Sequence, residues 1–100
     1  MKIVVPAIGS NPPSPPALVV NDDAAILGAV IFNNSAVVVW LADNTSLQTP
    51  DADGVTPSDG VPLNQNQSLS LLPGYRGKIY AMCPAGGAAG QLRVLYGAKC

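Results

Sequence analysis

The residues able to do chemistry in this 100-residue sequence are few. Its six acids are all aspartates: Asp22, Asp23, Asp43, Asp51, Asp53 and Asp59. There is no histidine, which removes the commonest general base and metal ligand. A serine, threonine or cysteine nucleophile would lack its usual activating partner. No glycine-rich phosphate loop follows a strand and opens a helix. The sequence therefore reads as that of a non-enzyme, with no catalytic residue, cofactor or metal assigned. "DADG" at residues 51–54 is the one metal-like string, because two carboxylates two apart followed by glycine resemble the start of a calcium loop. No glutamate follows at the twelfth loop position. Asp51, Asp53 and Asp59 thus read first as turn formers, with a weak ion site as the alternative.

Two cysteines remain. If "KIYAMC" (78–83) and "GQLRVLY" (90–96) form a hairpin with Cys83 opposite Gln91, Cys100 falls level with Gly74. At about 3.4 Å per residue the sulfurs would stand roughly 25 Å apart. A disulfide needs Cα atoms within about 7 Å. Two free thiols are expected, which suits a reducing compartment. Trp40 and three tyrosines are too few for a base-stacking platform, and the five Lys and Arg do not cluster, so no nucleic acid is expected. Trp40 reads as core or as a contact anchor, since tryptophan is enriched where partners meet. Tyr75, beside Arg76 in "PGYRGK", reads as a turn that can present a contact pair.

These side chains must be carried by strands. Only 11 residues are charged while 48% are hydrophobic, too apolar for disorder and low in charge for a freely soluble monomer. Ten prolines, ten glycines and the absence of glutamate disfavour long helices. The apolar run at residues 24–32 is far below membrane-spanning length, and residues 1–6 are too short for a signal core, so no membrane is expected and synthesis in a cytoplasm is the reading.

Residues 1–16 read as an extended, Pro-rich N-terminal arm carrying Pro12, Pro13, Pro15 and Pro16, either a rigid lead-in or an arm laid over a neighbour. Residues 17–100 read as a single β domain. "AAILGAVIFNN" and "AVVVWLA", separated by a short polar turn, carry a hairpin signal. In the second run Val37, Val39 and Leu41 share one face and Val38 and Trp40 the other, so this strand should lie in a sandwich interior or face a partner. Residues 43–60 form a loop long enough to be functional or mobile. With a short extended piece at residues 2–8 and the strand-like "ALVV", the segments "SLSLL", "KIYAMC" and "GQLRVLY" complete about seven short strands. The expected fold is all-β, a small antiparallel β-sandwich or barrel.

"VIFNNSAVVVWLA", "GVTPSDGVPLNQNQSLSL", "YRGKIYAM" and "GQLRVLY", in that order over residues 26–96, resemble small β-proteins encoded among the structural genes of tailed bacteriophages. In those proteins an Asn-rich turn, a "G-x-P-L-x-x-x-x-S-L" segment, "G-x-I-Y-A" and a closing "L-R-V-L" strand follow one another. The Pro-rich arm and the Cys-ending tail depart from that pattern. The resemblance implies a capsid decoration or cement protein. It would sit on the virion surface, made in the host cytoplasm, bind the major capsid protein across subunit joints and form a homo-oligomer such as a trimer or other ring. The expected contacts are Pro12, Pro13, Pro15, Pro16, Trp40, Tyr75 and Arg76. The alternatives are a phage tail or baseplate module binding host glycans, with "NQNQ" as its polar part, and a small cellular β-domain with a protein partner.

Overall fold

A computed structural model describes residues 2–9, 15–21, 26–71 and 77–98. Eight strands appear in the order β1 (Lys2–Val5), β2 (Ala17–Val20), β3 (Ile26–Asn33), β4 (Val39–Ala42), β5 (Val61–Leu63), β6 (Ser68–Leu71), β7 (Ile79–Met82) and β8 (Gly90–Ala98). They form two four-stranded antiparallel sheets, β1-β8-β3-β6 and β2-β7-β4-β5. First pairs with last, second with second-last, third with sixth, fourth with fifth. Adding β3·β8 and β4·β7 joins these nested pairs into the two sheets. That nesting is the connectivity of a jelly roll, in which one long folded ribbon is rolled into a sandwich.

The architecture is all-β as the composition requires, with eight strands instead of about seven. It is an open sandwich and not a closed barrel. The added strand is β5, which pairs with β4 from Val39↔Leu63 to Leu41↔Val61. The four residues of β1 pair with β8 from Lys2↔Arg93 to Val5↔Gly90, which brings them into the body of the domain, whereas the sequence reading gave them to an arm. Val5, Ala7 and Ile8 are buried, and so is Pro16, while Pro15 is exposed. Pro12 and Pro13 lie outside the described residues.

Neither expected hairpin exists. β3 and β4 lie in different sheets, as do β7 and β8. A short polar segment between two apolar strands looks the same whether the chain folds back in plane or crosses to the facing sheet. At the first crossing the choice is made by Asn33, the one polar side chain fully buried among the described residues. Its amide donates to the carbonyls of Val37 (2.9 Å) and Leu63 (2.7 Å). Its side-chain oxygen accepts from the Ser35 amide (3.0 Å) and hydroxyl (2.7 Å). Its backbone bonds to Gln67 and Asn66, in the connection from β5 to β6. One side chain, with its donors and acceptor occupied, thus ties two crossings together, and such satisfied buried polar groups fix a single arrangement.

Between the sheets lies the main core. Alternate residues point inward: Leu92 and Val94 from β8, Ala29 and Ile31 from β3, Val39 and Leu41 from β4, Ile79 and Ala81 from β7. A bulge in β2 turns both Val19 and Val20 inward. Cys83 joins them as a free, buried thiol whose pKa is pushed up by desolvation, partly offset by the Gly90 backbone amide. Gly90 makes room for it, since a β-carbon there would stand 2.7 Å from the sulfur. The hairpin that placed Cys83 opposite Gln91 is absent, and Cys100 lies outside the described residues.

Candidate functional site

The outer faces of the two sheets differ. On the second sheet, Trp40, Ala42, Tyr80 and Met82 point away from the main core and form a smaller one. Leu47, from a 3-10 helix at Thr45–Gln48, fills its centre with no exposure, and Ile8 and Ala85 close its sides. The 3-10 helix starts where Asn44 accepts from the Ser46 amide (2.8 Å), a helix cap that a short polar side chain supplies well. This is how the chain satisfies the two apolar faces of β4. Its outer face is covered by residues 43–60 of the same chain.

Those residues are a folded cover, where the sequence suggested a functional or mobile loop. After the 3-10 helix the chain makes a narrow finger. Pro50 bridges Pro57, the Asp51 amide donates to Thr56 (2.7 Å) and the Ser58 amide to Thr49 (3.0 Å). Asp53 closes its tip, accepting from the Val55 and Thr56 amides (both 2.9 Å) and the Thr56 hydroxyl (2.7 Å). These bonds, the Thr56 hydroxyl first, hold the Asp53 pKa below its ordinary value. Asp59 accepts from Asn44 (2.9 Å) and from its neighbour Gly60 (2.7 Å), and its pKa is lowered chiefly by Asn44. Two of the three candidate ion ligands are therefore turn-fixing carboxylates. Among the described residues no three acids, cysteines or histidines gather as a metal site would need.

Among the described residues the outer face of the first sheet has no such cover. The register places Val4 beside Gln91, Arg93 between Lys2 and Phe32, and Leu95 beside Val30. Ser68 and Ser70 continue two of these rows on β6. Leu95 is 73% exposed, Val4 63% and Val30 39%, and Phe32 is half-buried. Among the described residues, this apolar face carries two bases and no acid and is left uncovered. Fully burying a Val or Leu contributes about 1.5–3 kcal/mol each, against an association cost of roughly 4–15 kcal/mol. Three partly exposed side chains therefore support a contact only together with charge pairing or repetition.

Trp40 sits half-buried in the smaller core, and its indole N–H is buried with no acceptor. Tyr75 and Arg76 lie outside the described residues. An open depression of about 450 Å³ is lined by Asp43, Asn44, Thr45, Gly77, Lys78 and Tyr80. Asn44 is spent there, since its amide donates to both Asp43 and Asp59 (2.9 Å each). The "NQNQ" run is a turn. Asn66 takes φ 64°, the Gln67 amide donates to Asn64 (3.0 Å), and Gln67 Oε1 accepts from the Asn64 amide (2.9 Å). The sequence reading missed the open face, although one signal was present: Leu95 breaks the polar alternation of Gln91 and Arg93. No protein-family model, curated protein or solved structure matches the chain.

Proposed function

We propose that this protein is a non-enzymatic structural component of a virion, one that decorates the capsid exterior and stabilises joints between major capsid subunits. The observation that carries the reading is the apolar face of the first sheet, uncovered among the described residues, on a jelly roll whose other outer face is partly covered by residues 43–60. Exposed apolar surface of this kind marks contact with another protein. Jelly rolls recur in capsid proteins, which is an argument by fold analogy and ranks below the surface itself.

Stabilisation follows from mass action. A protein that binds only the assembled shell shifts the balance toward assembly, and many symmetric copies multiply a weak contact. Pro12, Pro13 and Pro15 and the pair Tyr75 and Arg76 belong to the proposed contact set, while the buried Pro16 leaves it. The decisive measurement is the rupture temperature of particles with and without the protein. Particles lacking it should break at lower temperature and recover when it is added back; equal survival overturns the cement role. A glycan-binding tail module is the second reading, favoured by the depression beside Tyr80. Titration with host-surface glycans showing binding lost in Tyr80→Ala would favour it.

A further inference from the structure

We infer that the open face of the first sheet receives the acidic finger of a second copy of this chain, so that copies associate head to tail. The inference deepens the assembly reading but needs no capsid. The charges carry it. The open face bears Lys2 and Arg93 directly opposite each other, with no acid among its described residues. Like charges so placed repel unless a partner supplies the opposite sign. A second copy meeting the face with its own face would double that repulsion. The acids among the described residues lie elsewhere: Asp43, Asp51, Asp53 and Asp59 are all exposed along residues 43–60.

The finger matches the face in shape of chemistry as well as in sign. It exposes Val55 (45%) between Asp53 and Pro57, and Val61 (57%) follows just after Asp59. The face exposes Val4, Val30 and Leu95 around two bases. Both sides are thus apolar groups ringed by charge, basic on one and acidic on the other, which is how complementary protein surfaces select each other. The finger is also preorganised by the hydrogen bonds of Asp53 and the Pro50–Pro57 bridge, so little order need be gained on docking.

A chain cannot satisfy its own face. The finger is tied to the cover of the second sheet through Ser58 and Ser46 (3.2 Å) and through Val55 and Ala85 (2.9 Å). The open face is on the other side of the sandwich. The contact is therefore between different patches, which closes into a ring if its rotation permits and otherwise extends.

The test is the mass of the purified full chain by sedimentation and native mass spectrometry, from low to high concentration and salt. The expected result is assemblies that grow with concentration and dissociate in high salt, because exposed charges are screened. Arg93→Glu and Asp51→Lys should each weaken association about tenfold or more. Both sites are exposed, and unchanged circular dichroism would establish that each variant folds. Arg93→Glu and Asp51→Lys combined in one chain should restore association. A chain that stays monomeric at all concentrations overturns the inference. So does an oligomer that Arg93→Glu dissolves while Asp51→Lys leaves it intact, since that pattern marks a face paired with something other than the finger. Capsid binding is scored separately on particles, so its loss leaves this result standing.

Discussion

The two sheets of this sandwich are built on the same alternation, yet their outer faces end differently. β4 and β7 turn Trp40, Ala42, Tyr80 and Met82 outward, and the chain spends residues 43–60 and Ile8 to bury them. β1, β3 and β8 turn Val4, Val30 and Leu95 outward, and nothing among the described residues covers them. The difference shows where the protein completes its own fold and where it leaves surface for another molecule. Coverage needs chain length and a rigid loop, and this domain supplies both to one sheet only.

The sharpest way to break the comparison is to damage the cover. Leu47→Ala removes the side chain at the centre of the smaller core and should cost about 2–5 kcal/mol in urea unfolding. A loss below 1 kcal/mol would mean that the second sheet is as open as the first. Gly60→Ala strikes the point where the cover returns to β5. Gly60 has φ 97°, and a β-carbon would stand 2.5 Å from the Leu41 carbonyl oxygen and 2.9 Å from Leu47. Strain of about 1–3 kcal/mol is expected, read as a lower unfolding midpoint with unchanged slope.

Acid should loosen the same region selectively. Asp53 and Asp59 have folded pKa values below the ordinary 3.8. Their contribution is fully present above that value and is lost as pH falls through the lowered ones. Amide exchange at Val55, Thr56 and Gly60 should therefore rise in acid while the amides of β8 hold. In Asp53→Asn the acid response of Val55 and Thr56 should vanish. The smallest effect belongs to the open face. Leu95→Ser should change stability by no more than about 0.5 kcal/mol, while lowering the association measured by sedimentation. A large loss of stability would show that Leu95 is core after all.

Much of this fold is legible in the residues. "SLSL" alternates because Leu69 and Leu71 pack on the core while Ser68 and Ser70 face solvent. Leu92 and Val94 are inside and Arg93 outside, as period two requires. The apolar doubling of β4 correctly signals two covered faces. What covers the second of them is not legible, because Leu47 is a lone leucine among Thr, Ser and Gln, without periodicity to mark it. Crossings are hidden for the same kind of reason. The five residues between β3 and β4 carry turn chemistry that suits a hairpin equally well, and only the distant carbonyl of Leu63 shows why Asn33 must be buried.

The candidate contacts divide in the same way. Arg93 is legible as an outward residue, but its pairing with Lys2 depends on which strand becomes the neighbour of β8. Sequence alone determined the all-β class, the inward residues of β6 and β8 and the poverty of catalytic groups, since these follow from composition and from a local period of two. Tertiary structure decided the nested strand order, the burial of Asn33, the cover over Trp40 and the bare face around Leu95. Those features depend on pairings between residues up to 91 positions apart, as for Lys2 and Arg93, and no local pattern encodes which distant strand a strand will meet.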